Sequence, residues 1–403
     1  MGFARPLTLT VILLAAGGGQ TWGQGVTVGE AGEPAFGIHG FVSTTLFAQD
    51  RSFGFGNGQN AVWASYHDAT DDPWILGGDV RNTRLALDLH GVPLGSGWHA
   101  SGTMEIDFFG GFNGTGPFSD EQPHLRLRIG MVELEKGSTT VGLGQAFSLL
   151  LGAVPVSLSH MTFPMGYSSA GVIGWRHPGI FLSRRLGRAD GLRARIRLAA
   201  LKGSWSGPGD NLEQESAGET AGFPQMEGRV DLAGGGGDGW EWRAYGVAHV
   251  DRKDLSGTEP PNGERDELTG WAFEGGGKIR MGPVTLHGNA YRGRALGQQV
   301  AHMTQFGDIG SWGGWAQVGY ALSPRWSVWL FSGTEDPRDA DLAHESFPVR
   351  LGNTTRAALL RFKEGPFSVG VEWMGVETEW GEGGRSRGMR RGNQISLSAM
   401  FAF

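Results

Sequence analysis

The sequence predicts an all-β fold, an antiparallel transmembrane β-barrel of about 16 strands with short turns at one end and long loops at the other. Three observations predict it. The chain ends in a strict alternation of apolar and polar residues that closes on an aromatic residue, and the same period-2 pattern recurs along most of its length. Beyond the first residues, no apolar run approaches the roughly 18 residues that a transmembrane helix needs.

The last strand shows the alternation most clearly. One face of the segment 394–403 carries the apolar residues Ile395, Leu397, Ala399, Phe401 and Phe403. Such a strand suits a wall with lipid on one side and water on the other. A C-terminal strand that ends in Phe also resembles the signal by which bacterial outer-membrane barrels are recognised for insertion. This resemblance assigns the insertion signal to Phe401 and Phe403 and implies the barrel assembly machinery as a partner.

The first residues predict a secretory signal peptide over residues 1–23. Arg5 supplies a positive charge, an apolar run covers residues 7–16, and small residues follow at 17–19 and at Gly23. This layout is typical of signal peptides and too short for a stable transmembrane helix, and we expect cleavage within residues 17–25. The alternative, a short buried helix, fits poorly because a glycine-rich stretch follows. Residues 24–35 are then a short N-terminal linker, and residues 36–403 form the barrel.

The composition agrees with a barrel and excludes several kinds of site. The chain has no cysteine, which excludes disulfides, thiolate metal sites and thiol nucleophiles. The 71 glycines, 15 tryptophans and 22 phenylalanines fit many strands, tight turns and aromatic girdles at the membrane interfaces. The formal charge of -7 says little about the pore, because it sums loops and wall.

Alternation between turn signals predicts the individual strands. Residues 36–48 form the first, residues 83–90 the second and residues 98–108 the third, with a hairpin turn around residues 92–97. Thirteen further runs bring the count to about 16, an even number as in single-chain bacterial barrels. These runs lie at residues 124–135, 138–147, 175–187, 191–203, 225–233, 239–252, 268–281, 283–294, 312–322, 325–334, 354–363, 366–378 and 393–403.

The connections alternate between short and long, as expected for short periplasmic turns opposite long external loops. The long polar segments lie at residues 49–78, 110–123, 204–224, 253–267, 295–311, 335–353 and 379–392. Residues 148–174 differ, because they are far more apolar than the other loops and would be poorly placed in water. We expect this loop to pack inside the barrel as a constriction loop. A loop that contacts another subunit is the alternative.

Four stretches resemble the DcaP-like group of porins. They are Arg-Asn-Thr-Arg-Leu at 81–85, Gly-Thr-Met-Glu-Ile-Asp-Phe-Phe-Gly at 102–110, Leu-Arg-Leu-Arg at 125–128 and Gly-Gln-Ala-Phe-Ser at 144–148. Members of that group carry a Glu-x-Asp-Phe-x-Gly strand end, an Arg-rich next strand and a Gly-Gln turn into the constriction loop. The resemblance implies a homotrimeric, 16-stranded porin of the bacterial outer membrane that passes small solutes and favours anions. The chain departs from some members in lacking an N-terminal heptad region.

The catalytic patterns in the sequence have simpler explanations. The Gly-x-Ser-x-Gly match at 384–388 lies in a predicted basic loop instead of a strand-to-helix elbow. Glu105 and Asp107 share a face at i, i+2, but pore lining beside arginines explains them more simply than acid–base chemistry. The chain is therefore predicted not to be an enzyme, with no catalytic residues, no metal site and no cofactor, and no nucleic-acid partner is expected.

The sequence leads to a passive diffusion channel for small hydrophilic solutes that favours anions, set among outer-membrane lipid and lipopolysaccharide. Parity places the row of arginines 193, 195 and 197 away from lipid, because the other face of that strand is apolar. The predicted pore-lining and selectivity residues are Arg84, Glu105, Asp107, Arg126, Arg128, Arg193, Arg195, Arg197, Arg243 and Arg280. The alternative is a structural or adhesin-like surface barrel whose lumen is filled.

Overall fold

The computed structural model describes residues 26–28, 34–66, 74–111, 121–187, 191–204, 216–236, 239–256, 267–297, 300, 302–303, 307–342, 348–382 and 385–403. The predicted signal peptide lies outside the described residues. Residues 26–28, within the predicted linker, form a short strand, Val26–Val28.

The described residues form one antiparallel sheet that closes into a 16-stranded barrel, which confirms the predicted fold. The second wall strand is broken into two parts, which pair with opposite ends of the first. The strands are β1 Ala35–Gln49, β2 Ile75–Asp79 with Arg84–Gly95, β3 Trp98–Asp107, β4 Arg126–Lys136, β5 Thr139–Phe147, β6 Arg176–Gly187, β7 Arg193–Leu201, β8 Gln225–Gly236, β9 Trp240–Asp254, β10 Glu267–Met281, β11 Val284–Arg294, β12 Gly310–Ala321, β13 Trp326–Pro337, β14 Val349–Glu364, β15 Phe367–Glu382 and β16 Arg385–Ala402.

The barrel closes between its first and last strands. In this seam, Phe41 lies opposite Ala402 and Gln49 opposite Gln394. The terminal residue completes the seam, since the Gly40 amide donates to the Phe403 carbonyl at 2.9 Å and the Phe403 amide donates back to Gly40 at 3.0 Å. The strand Val26–Val28 pairs with residues 36–38 just beyond the end of β16. One edge of β1 thus pairs with Val26–Val28 and β16, and the other pairs with the two parts of β2, between which the Thr83 hydroxyl bonds the Ser43 backbone.

Alternation along each strand separates an apolar outer face from a mostly polar inner face. On β16, Ile395, Leu397 and Phe401 are 49%, 50% and 52% exposed, whereas the side chains between them, such as Ser396 and Ser398, are buried. A soluble protein would bury such residues. Because lipid covers the outer face of a membrane barrel, apolar side chains are stable there.

Some predicted loops are strand. The last hairpin continues to Glu382 and resumes at Arg385, so most of the predicted loop 379–392 is wrong. Likewise, β13 extends to Pro337 and β14 begins at Val349, within the predicted loop 335–353. The alternation at these ends includes charged and small residues, which obscure the period-2 pattern in the sequence. The predicted Gly-Gln turn is also corrected, because Gly144 and Gln145 are paired within β5.

The loops carry little regular structure. They contain the short helix Ala217–Thr220, the 3₁₀ turns Gly58–Asn60 and Asp339–Asp341, and a two-stranded ribbon of Phe53–Gly54 with Trp63–Ala64. Among the described residues, no helix is long and apolar enough to cross a membrane.

Candidate functional site

The loop between β5 and β6, residues 148–175, is held by side chains from the inner faces of distant strands. The Gln317 side chain of β12 both accepts from the Val156 amide, at 2.7 Å, and donates to the Val156 carbonyl, at 2.8 Å. Asn82, in the break of β2, donates to the Ser159 carbonyl at 2.8 Å and accepts from the Thr162 amide at 3.0 Å. Buried side-chain amides thus satisfy the backbone groups of a loop that forms no regular structure of its own.

Carboxylates of the wall supply further anchors. Glu372 of β15 accepts hydrogen bonds from the hydroxyls of Ser157, at 2.8 Å, and Ser159. The carboxylate of Glu227 on β8 accepts from the Leu149 amide. Hydrogen bonds to charged acceptors are stronger than neutral ones, so these residues fix the loop at both sides of the barrel.

Glycines allow the loop to approach the wall closely. Gly171 has φ +86°, and a Cβ there would meet the Gly314 amide nitrogen of β12 at 2.4 Å. A Cβ on Gly152 would meet the Tyr245 hydroxyl of β9 at 1.9 Å. Only glycine fits at these two contacts, because any side chain would move the loop off the wall.

The same loop builds an apolar cluster with the wall and with the first long loop. Phe163, Met165 and Tyr167 pack with Phe53 and Trp315 and with the inward residues Phe331, Ala357, Met374 and Val376. Burial raises the pKa of the Tyr167 phenol above its ordinary value, so this side chain stays protonated. The loop thereby presents aromatic rings toward the opposite wall, where β3 and β4 lie.

That opposite wall carries a cluster of arginines and carboxylates. Arg126 donates to both oxygens of Asp107, at 3.0 and 2.8 Å, and Arg128 bridges Asp107 at 2.7 Å and Glu105 at 2.6 Å. Arg84 of β2 lies 3.7 Å from Glu105. The sequence motif places these five residues together because β2, β3 and β4 are consecutive neighbours. The paired geometry fixes each guanidinium in one orientation.

The arginine cluster meets the aromatic side of the loop. The Arg126 guanidinium lies 5.4 to 5.7 Å from the ring centres of Phe109, Phe163 and Trp175. Phe163 and Trp175 are stacked with an interplanar angle of 9°. Cation–π contacts of this kind hold a charge beside apolar surface.

The remaining predicted residues lie on the inner face toward the periplasmic end. Arg197 makes a two-pronged pair with Asp231 at 2.9 and 2.8 Å, and Arg195 donates to Ser183 at 3.0 Å. Arg193 is exposed at the start of β7. Arg243 and Arg280 share the inner face with buried residues of their strands, yet both are exposed. Charged side chains that point inward and remain exposed indicate water in this half of the lumen.

Sequence reasoning missed several basic residues. Arg229 of β8 is buried, donates to Asp231 and to the Leu149 carbonyl at 2.9 Å each, and lies 3.8 Å from the Tyr245 ring. Lys278 faces inward directly opposite Arg243, and Arg361 of β14 lies 5.6 Å from the Trp329 ring. The alternation of each strand could have predicted that these three side chains face inward, since the neighbours of each are apolar or small and face outward. Arg176, buried at the first residue of β6 and 4.1 Å from the Trp175 ring, gave no such signal.

The described residues contain no group of three or more His, Cys, Asp or Glu side chains that could hold a metal ion. The residues 385–388 of the Gly-x-Ser-x-Gly match belong to β16, which corrects their predicted loop placement.

No protein-family model and no curated protein sequence matches the chain. Several solved structures match the chain. The outer-membrane channel DcaP of Acinetobacter baumannii is 17% identical, with 93% of this chain and 99% of that chain covered and a TM-score of 0.67. The anion-selective porin from Comamonas acidovorans is 15% identical, with 92% and 100% covered and a TM-score of 0.56.

The trimer form of the outer-membrane protein OmpT of Vibrio cholerae is 12% identical, with 92% of this chain and 100% of that chain covered and a TM-score of 0.53. At these identities the likeness shows the fold, which extends over nearly the whole length of each protein. The chain therefore has the porin fold, that of outer-membrane β-barrels, and is similar in structure to DcaP.

Proposed function

We propose that this barrel is a porin, a water-filled channel for passive diffusion of small hydrophilic solutes, and that it favours anions. The observation that carries the proposal is the row of exposed basic side chains on the inner wall, above all Arg243, Lys278 and Arg280. The described residues contain no salt bridge to any of these three. Glu241, opposite Arg280 on the same inner face, offsets only part of their charge. Net positive charge beside water lowers the energy of an anion and raises that of a cation.

The periplasmic half of the inner wall carries charges of both signs. Basic residues prevail on β7 to β10, including Arg195, Arg243 and Lys278, where Asp231 and Glu241 offset only part of the charge. Asp88 on β2 and Glu133 on β4 add negative charge beside these strands. Opposed charges in a lumen orient polar solutes as they pass.

In this proposal the loop 148–175 is the constriction. It fills part of the lumen between β12 to β15 and the arginine cluster of β2 to β4, which its buried aromatic rings contact directly, and so narrows the space left for solutes. Arg126 is 22% exposed in its side chain and so remains accessible to a solute, whereas Arg128 is 3% exposed and serves to position Asp107 and Glu105. Solutes pass unchanged, and the proposal includes no catalytic residue, cofactor or metal.

We also propose a homotrimer, which the trimer form recorded for OmpT of Vibrio cholerae supports. Assembly would use the barrel assembly machinery, with Phe401 and Phe403 at the recognised end of the chain. Phe401 is 52% exposed on the outer face, where another protein could contact it before lipid does.

A second candidate is a structural or adhesin-like barrel with a filled lumen. The apolar cluster of loop 148–175 with the ribbon of the first long loop favours it, because this cluster occupies space inside the barrel. The two candidates differ in whether ions cross.

Single-channel recording of the purified barrel in a planar bilayer separates them. A porin gives discrete conductance steps and, across a salt gradient, a reversal potential of the sign expected for anions. Removing residues 157–169 with a short Gly-Ser replacement should enlarge the steps while the barrel retains its heat-modifiable migration on gels. An absence of steps in both proteins would support the filled barrel, and equal conductance in both would remove the constriction role from the loop.

A further inference from the structure

Two histidines flank one carboxylate on the inner face of the barrel, near its periplasmic end. Asp88 of β2 accepts hydrogen bonds from the Thr103 hydroxyl of β3, at 2.6 Å, and from the His39 ring of β1. The Nε2 atom of His90 lies 3.8 Å from the same carboxylate. Leu89, between Asp88 and His90 in the chain, is 45% exposed on the outer face, so its two neighbours point inward. Partners on two neighbouring strands therefore hold the carboxylate in place.

Water reaches both histidines, whereas the carboxylate between them is covered. The side chains of His39 and His90 are 26% and 27% exposed, and that of Asp88 is 5% exposed. The Nε2 atom of His90 is buried and makes no hydrogen bond within the described part of the chain. A proton on this atom would lie beside the Asp88 carboxylate, so both rings can become charged without a movement of the strands.

Carboxylates outnumber arginines in the wall around this cluster. Among the residues that the structure describes, the charged and titratable groups around it are Arg84 on β2, His99 and Glu105 on β3, Arg128, Glu133 and Glu135 on β4, Arg185 on β6, Arg195 on β7 and the terminal carboxylate of Phe403 at the seam. In this set, every arginine except Arg195 already pairs with a carboxylate. Asp88 and Glu133 then face Arg195 alone, so this part of the wall carries negative charge while the histidines are neutral.

We propose that His39 and His90 form a pH-dependent selectivity site in the periplasmic half of the lumen, and that acidification there strengthens the anion preference of the channel. Histidine is the side chain whose charge ordinarily changes between about pH 5 and 8. When both rings carry a proton, this part of the wall changes from negative to positive, and the field in the lumen follows. The inference rests on the proposed function, since only an open lumen lets this field act on permeating ions.

The test is the reversal potential of the purified full-length barrel across a salt gradient, recorded at about pH 8 and about pH 5.5. This interval covers the ordinary charge change of histidine and stays above that of carboxylates, near about pH 4. The double variant His39→Gln and His90→Gln removes both ionisable rings and keeps a hydrogen-bond donor at each position. His124→Gln is the matched control, since His124 is exposed in the loop between β3 and β4, at the other end of the barrel.

Acidification should raise the anion-to-cation permeability ratio of the unchanged protein about fourfold at physiological salt, because it adds two unit charges at about 8 Å from the path of the ion. The double variant should lose most of this rise, and His124→Gln should keep it. An open channel whose potential does not change with pH would overturn this inference alone, and that measurement needs no variant to fold. A rise that the double variant retains in full would also overturn it. An absence of conductance at both pH values would overturn the proposed function and this inference with it.

Discussion

The exposed basic residues on the inner wall near the periplasmic end, Arg243, Lys278 and Arg280, offer the sharpest test of anion preference. Arg243 on β9 and Lys278 on β10 lie directly opposite each other, face the lumen and have no salt bridge among the described residues. Arg197 is a weaker determinant than the sequence suggested, because Asp231, which it shares with Arg229, offsets part of its charge. We therefore predict that replacing both Arg243 and Lys278 by Gln reduces selectivity.

The magnitude follows from Coulomb's law. An ion at about 8 Å from one unit charge in water changes in energy by about 0.5 kcal/mol before screening. A Debye length of about 8 Å at physiological salt reduces this to about 0.2 kcal/mol, whereas one of about 30 Å at about 0.01 M leaves about 0.4. Each charge stabilises an anion and destabilises a cation. Removing both should lower the anion-to-cation permeability ratio about fourfold at physiological salt and about 15-fold at about 0.01 M.

The assay is the reversal potential across a salt gradient, recorded at both ionic strengths for the unchanged protein and the double variant. Arg356→Gln is the control, because it removes a charge from the outer face and should leave the potential unchanged. The reasoning is refuted if the double variant keeps the original potential. A shift of equal size at both ionic strengths would also refute it, since a field effect in water must weaken with salt.

Two further predictions concern assembly and the loop. Deleting Phe403 removes both hydrogen bonds to Gly40 at the seam and should sharply reduce the heat-modifiable barrel in membranes; unchanged assembly would contradict its role. Replacing Glu372 by Gln weakens the hydrogen bonds from Ser157 and Ser159, each worth about 1.5 to 3 kcal/mol with a charged acceptor. Single-channel traces should then show more frequent substates, and traces as quiet as those of the unchanged protein would count against this anchor.

The sequence by itself determined which residues of the wall strands face lipid. A strand has a side-chain period of two, so every run of alternation states which residues face lipid, and no distant contact is needed to establish it. The segment 394–403 is the clearest case, with its outward apolar residues and buried serines as predicted. Strand order followed as well, because neighbours in sequence pair in an antiparallel barrel. The alternation failed at strand ends such as residues 379–382, where charged and small residues interrupt it, and at the separate segment Ile75–Asp79 of β2, which lies in the predicted loop 49–78.

Tertiary structure decided what occupies the lumen. Loop 148–175 has no periodicity, and its position depends on Gln317, Asn82 and Glu372, which are remote from it in the chain. Likewise, the sequence could count arginines on the inner face but not show that Asp231 pairs with Arg197, whereas Arg243 makes no salt bridge with any residue in the described ranges. Inner-face side chains contact partners on other strands and in loops that are far from them in the sequence. The net field in the lumen therefore depends on these distant pairings, whereas the outer face depends only on local alternation.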